Sequence, residues 1–147
     1  MIVVSDTTPL ISLLKIGRID LLENLFGQVL IPQAVFDELT ADERFQREAD
    51  QIRRKRFMRV GAVQNPESAD ILKRATGLDR GESEAIVLTD ELHADLLLMD
   101  EAKGRAVSFQ MGFKIMGTIG VLMAAYEENE LTAKGLCARS AEGREAY

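Results

Sequence analysis

The sequence holds a single cysteine, Cys137, and a single histidine, His93. One thiol cannot close an intramolecular disulfide, and without a Cys/His cluster there is no zinc site, so a disulfide scaffold and a zinc fold are both excluded. A reduced, intracellular setting follows. A basic surplus is missing as well: 18 Lys and Arg stand against 24 Asp and Glu, a formal net charge of −6. Proteins that hold nucleic acid by general phosphate attraction present a basic surface, so a passive binder of that kind is disfavoured. A metal-dependent nuclease is disfavoured less, because part of its negative charge would be ligand and would be offset by bound cations. The start of the chain lacks the basic segment and apolar run of a secretion signal, and no apolar stretch approaches the ~20 residues of a membrane helix. The expected location is cytoplasmic, with no membrane contact.

What is present reads as one domain over 1–147, with a core of ordinary size and a tail that frays from about residue 140. Ile2-Val3-Val4-Ser5 is a β-branched run that ends at Asp6, the pattern of a buried strand. Thr7-Thr8-Pro9 opens a helix that runs to Gly17, and a short helix from Ile19 to Leu25 closes at Gly27. Val29-Leu30-Ile31 is a second strand, and Pro32 starts a helix through Val35 and Leu39. The stretch from Asp42 to Arg59 is highly charged and helical in propensity. Its basic residues Arg53, Arg54, Lys55, Arg56 and Arg59 suit a solvated helix face better than an RNA-facing patch. A strand is expected between Phe57 and Val63, and a helix from Glu67 to Thr76 ending at Gly77. A further helix leads from Gly81 to about His93, where the histidine has a structural place in the following turn. Leu96-Leu97-Leu98-Met99 is the most strand-like run and again ends at an acid, Asp100. A helix, a short strand at Phe113–Met116, a helix from Thr118 to about Glu128 and a last helix from Leu131 complete the chain. Strands alternating with helices, built of short continuous apolar runs, indicate a three-layer α/β fold around a parallel sheet.

In such sheets ligands bind beyond the carboxyl ends of the strands. Asp6 and Asp100 both stand there. If their strands are neighbours, two carboxylates face one cleft, a donor set suited to Mg²⁺ or Mn²⁺. A lone acid in that position would more simply cap the next helix, but two at matching positions favour a site. Gly81-Glu82-Ser83-Glu84 adds two more acids, about 200° apart around one helix, and periodicity does not choose between them. Glu38 lies near the buried stripe of Val35 and Leu39, while Asp37 points away; alone, Glu38 reads equally well as an acid reaching from the edge of that stripe to solvent.

Together these segments resemble the PIN-domain family, in particular its compact prokaryotic members of the VapC-like toxin type. The likeness rests on Val4-Ser5-Asp6-Thr7-Thr8-Pro9-Leu10-Ile11, Ile31-Pro32-Gln33-Ala34-Val35-Phe36-Asp37-Glu38-Leu39, Gly81-Glu82-Ser83-Glu84-Ala85-Ile86, Leu96-Leu97-Leu98-Met99-Asp100-Glu101 and Gly117-Thr118-Ile119-Gly120-Val121-Leu122, spread over about residues 2 to 130. It implies an α/β/α sandwich in which Asp6, Glu38, Glu82 and Asp100 chelate Mg²⁺ or Mn²⁺ and hydrolyse RNA. The family's third acid commonly stands eighteen residues before the last, which selects Glu82 over Glu84. Thr8 falls where relatives have a small polar residue near the metal, and Glu101 is placed as an outer acid. Two departures stand out: Glu82 occupies a position where many relatives have Asp, and Met99 one where a polar residue is common. The resemblance further implies an antitoxin protein as partner and a homodimer. Two rival readings are a phosphatase of the haloacid dehalogenase type and a non-catalytic module that keeps the fold. The first needs an acid two residues after Asp6, where this chain has Thr8; the second would tolerate the loss of an acid, and all four are present.

Overall fold

The apolar runs at Ile2-Val3-Val4, Val29-Leu30-Ile31 and Leu96-Leu97-Leu98 become the three central strands, and the longer mixed segments become helices. The structure, a computed structural model, describes residues 1–132. Its elements are β1 (Val3–Ser5), α1 (Thr7–Lys15), α2 (Asp20–Phe26), β2 (Val29–Pro32), α3 (Gln33–Ala41), a 3-10 turn (Glu43–Phe45), α4 (Gln46–Arg54), β3 (Met58–Gly61), α5 (Pro66–Thr76), α6 (Arg80–Glu91), β4 (Leu96–Leu98), α7 (Ala102–Gln110), β5 (Ile115–Met116) and α8 (Thr118–Thr132).

The five strands pair in parallel in the order β3-β2-β1-β4-β5. Strand periodicity of two sends alternate side chains to opposite faces. Val3, Val29, Ile31, Leu96 and Leu98 pack on one side against Leu10, Leu22, Val35, Ile52 and Val121 from α1, α2, α3, α4 and α8. Val4 and Leu97 pack on the other side, with Leu30 and Ile115, against Ile86 and Leu88 of α6, Leu72 of α5 and Val107 of α7. Every strand residue of β1 and β4 is buried, which is why those segments read as continuous apolar runs rather than alternating ones. The architecture is the expected three-layer α/β/α sandwich around a parallel sheet.

Chain direction reverses at the centre. From β1 the connection leads to β2 on one side, and from β4 it leads to β5 on the other, so β1 and β4 flank the switch point where α/β sheets hold ligands. Val3, Val4 and Ser5 are in register with Leu96, Leu97 and Leu98, and the Asp6 amide donates to the Leu98 carbonyl at 3.0 Å. The two strands therefore end together.

Several boundaries differ from the sequence expectations, each for a local reason. Helix α1 starts at Thr7, so Pro9 falls within the first turn, where its missing N–H is not needed. Helix α5 starts one residue early, at Pro66, whose fixed φ suits a first helical position, and ends at Gly77 as expected, with φ +77°. Helix α8 runs on through Thr132, past the break expected after Glu128, because Asn129 and Glu130 contain no helix breaker. The rest of the helix expected from Leu131, the tail from 140, and Cys137 lie outside the described residues. Of the basic run, Arg53 stacks its guanidinium 5.4 Å from the Phe36 ring centre and pairs with Asp50 at 2.8 Å. Arg53 to Arg56 lead into β3, at the amino edge of the sheet and opposite Asp6, and Arg59 is an exposed residue of β3 itself, which fits a solvated surface. No helix among the described residues is long and apolar enough to cross a membrane.

This packing makes a direct prediction. Leu97 is fully buried at the centre of the sheet, whereas Ile71 on α5 is 58 % exposed. Leu97→Ala should lower unfolding free energy by about 2–5 kcal/mol in urea titrations, and Ile71→Ala by less than about 0.5 kcal/mol; similar costs for the two would contradict this core.

Candidate active site

Asp6 leaves β1 with extended backbone and stands at the cap position of α1, yet its carboxylate makes no capping hydrogen bond. It is buried. Burial pushes its pKa up to about 7; the Thr7 amide opposes that, and the carboxylates of Asp79, Glu82 and Glu38 add to it. These four acids come from the end of β1, from α3, and from the start of α6, so the fold gathers them over one edge of the sheet.

Glu38 extends from α3 toward α6. The Thr7 hydroxyl donates to its Oε2 at 3.2 Å, and its Oε1 lies so close over Gly81 that any side chain there would collide with it. Glycine at 81 thus leaves room for the Glu38 carboxyl group, which a side chain there would push aside. Burial raises the Glu38 pKa, with Asp79 contributing, while the Thr7 hydroxyl and Gly81 amide pull the other way.

The two glutamates of α6 part company. Glu84 is buried and fully engaged: its Oε1 accepts from the Ala34 amide at 3.0 Å, in the first turn of α3, and its Oε2 accepts from Arg80 Nε at 3.1 Å. It is a structural tie that caps one helix from another. Glu82 is held differently. Its backbone amide donates to Asp79 Oδ1 at 2.7 Å, and its carboxyl pKa is pushed up to about 7 by burial first, then by Asp79 and Glu101.

Asp79 was not among the residues singled out from sequence, although Asp79-Arg80-Gly81-Glu82 carries the acid-x-x-Glu spacing of a helix start. It caps α6 and its charge reaches Asp6, Glu38 and Glu82. Thr7 was also missed: it, rather than Thr8, touches a site acid, and Thr8 is exposed. Glu101 caps α7 by accepting from the Lys103 amide at 3.2 Å, and adds to the repulsion on Glu82.

Asp100 lies two residues past the end of β4, the strand paired with β1, and its carboxylate is turned to the start of α8. Its two oxygens accept from the Thr118 amide and hydroxyl, both at 2.6 Å. It therefore caps a helix, though α8 rather than the α7 that follows it. Gly117 must be small here, because a side chain would start 2.7 Å from Asp100 Oδ1 and 3.2 Å from Arg105 Nη1. Asp100 is not among the charges that raise Asp6.

A family model described as a PIN domain (DUF3368) matches residues 2–137. The chain belongs to the PIN-domain family. Comparison with curated proteins gives no match. PIN domains are generally nucleases that use divalent metal ions, so the question for this PIN domain is whether its own residues fit such an ion. The donor chemistry does: every candidate is a carboxylate oxygen, the hard ligand that Mg²⁺ and Mn²⁺ prefer. Charge points the same way, since among the described residues no ion pair engages Asp6, Glu38, Asp79 or Glu82. A cation among them would lower the raised pKa values of Asp6 and Glu82. Side-chain positions are not yet convergent, as no three acids among the described residues stand as a ready coordination sphere. Of the four acids picked from sequence, Asp6, Glu38 and Glu82 share one electrostatic cluster and Asp100 sits alongside, drawn toward Thr118.

The raised pKa values make the metal-free protein pH-sensitive in a defined direction. A carboxyl with a folded pKa above its unfolded value binds its proton more tightly when folded, so stability falls as pH rises from about 4 to about 7. In chelator, the melting temperature should be lower at pH 8 than at pH 5.5, and Asp6→Asn or Glu82→Gln should flatten that slope. Glu84→Gln should instead cost about 1–3 kcal/mol at every pH in this range; a Glu84 variant that flattened the slope would reverse the roles assigned to the two glutamates.

Proposed function

We propose that this PIN domain is a metal-dependent endoribonuclease, with Asp6, Glu38, Glu82 and Asp100 as the residues that hold Mg²⁺ or Mn²⁺. The observation that supports this most is the buried, uncompensated carboxylate of Asp6 at the β1–β4 switch point, surrounded by further acids. When bound, a divalent ion supplies a more acidic water and neutralises charge developing on the phosphodiester during hydrolysis. The chain's own residues do the rest. Thr7 and Gly81 fix the direction of Glu38, the Asp79 cap sets the first turn of α6 and so the place of Glu82, and Thr118 holds Asp100 at the end of β4. Glu84 keeps α3 and α6 together and takes no part in binding the ion. The carboxylates act in their ionised form, which the raised pKa values oppose until a cation is present.

The family resemblance also supports a role as the toxin of a toxin–antitoxin pair, acting as a homodimer and restrained by a small protein that covers the acidic cleft. A phosphatase of the haloacid dehalogenase kind finds no support, because the residue two positions after Asp6 is an exposed threonine with no carboxyl group to act as acid and base.

Adding Mn²⁺ to chelator-treated protein should raise its melting temperature, and Asp6→Asn should abolish both that rise and cleavage of single-stranded RNA. The loss in cleavage should exceed about a hundredfold, the scale of removing a group that organises transition-state charge. Undiminished cleavage by Asp6→Asn would end this reading.

A further inference from the structure

Beyond the acids, the same carboxyl edge of the sheet carries an arginine, Arg105, that pairs with no carboxylate among the described residues. Arg105 stands in the second turn of α7, and its Nη1 donates to the Met99 carbonyl at 3.0 Å, at the point where β4 ends. That bond uses one of its five N–H donors. Among the described residues it forms no ion pair with any carboxylate, although Asp100 is near: both flank the empty position where a Gly117 side chain would begin. The guanidinium is thus anchored at one nitrogen and free at the others.

Arg105 also lines a cleft. An open cavity of about 420 Å³ is bounded by Asp100, Arg105, Ile115, Met116, Gly117 and Ile119. Its walls are otherwise apolar or glycine. The first turn of α8 packs tightly on β5, with Gly120 close against Met116, and Ile119 projects outward, 68 % exposed. The cleft lies on the β4–β5 side of Asp100, away from β1, so a guanidinium without an ion pair stands to one side of the acid cluster. An anionic chain crossing that edge meets repulsion at the acids unless cations are bound, and attraction at Arg105. A planar guanidinium with a free fork of donors is the side chain best suited to phosphate oxygens.

We propose that the cleft beside Asp100 seats an RNA backbone phosphate adjacent to the one being cleaved, with the Arg105 guanidinium as the group that binds it. The proposal rests on the ribonuclease reading above and names where its substrate lies. Arg105 is a substrate-binding residue in this account and moves no proton.

The test is affinity for a short single-stranded RNA, measured by fluorescence anisotropy with Mg²⁺ over a range of salt. The RNA carries 2′-O-methyl groups and phosphorothioate links, so it stays intact while the native acids and any cation they hold are kept. Arg105→Met should weaken binding about tenfold and reduce the slope of log affinity against log salt by about 0.7, the share of one phosphate on a single strand. Arg105→Lys should restore the slope. Two variants of exposed Ile119 test the cleft without touching the Arg105–Met99 bond: Ile119→Glu should weaken binding and Ile119→Lys should strengthen it. If Arg105→Met does not fold, the Ile119 pair alone decides. Unchanged affinity and slope in these variants, with Asp6→Asn still blocking cleavage by the otherwise native chain, would overturn the phosphate site and leave the ribonuclease reading standing. If the native chain neither binds nor cleaves RNA, both fall together.

Discussion

Parallel pairing of β1 with β4 brings two chain segments to an end side by side, and the rest of the site depends on that pairing. The register that matches Val3, Val4 and Ser5 with Leu96, Leu97 and Leu98 is fixed by burial on both faces of the sheet. A slip of one residue would turn every one of these side chains to the opposite layer. With the register set, Asp6 and Asp100 leave the sheet at neighbouring points, and α3 and α6 deliver Glu38 and Glu82 from either side. The stability of the apolar sandwich is what allows several acids to be held near one another. Their burial first, and their mutual repulsion after it, raise the pKa values of Asp6, Glu38 and Glu82, a cost that hydrophobic burial elsewhere offsets.

Each acid is positioned by a different device. Asp6 is placed by the strand itself, Glu38 by close approach to Gly81 and a bond from Thr7, Glu82 by the Asp79 cap, and Asp100 by Thr118. At two glycines, Gly81 and Gly117, a carboxylate lies where a side chain would begin. Helix caps and site acids are interleaved here, so the same residue type carries structural and chemical duties within a few positions. Glu84 and Glu82 show the contrast within one helix: one is satisfied on both oxygens and ties two helices together, the other faces a field of like charge.

The layers, the parallel sheet and the strand-end acids were legible in the sequence because each depends on local pattern. Apolar runs ending at Asp6 and Asp100 give buried strands, and the acid after each marks the carboxyl edge. The β1–β4 adjacency was only a condition in that reading, since strand order is set by contacts far apart in the chain. The different surroundings of Glu82 and Glu84 were not legible from periodicity, because the amide that captures Glu84 belongs to Ala34, fifty residues away. Asp79 and Thr7 escaped notice for the opposite reason: an acid or a threonine at a helix start is ordinary, and only the folded chain shows which carboxylates they affect. The end of α8 was misjudged because a run without Gly or Pro gives no local signal for where a helix stops.

The central claim is that burial and like charge hold Asp6 and Glu82 partly protonated until a divalent cation joins them. Calorimetric titration of Mg²⁺ into chelator-treated protein, repeated in buffers of different ionisation enthalpy, counts the protons released on binding. With both pKa values near 7, the account predicts release of about one proton per binding event at pH 7 and almost none at pH 9. Saturable binding at pH 7 with no proton release, or no binding at either pH, would contradict it.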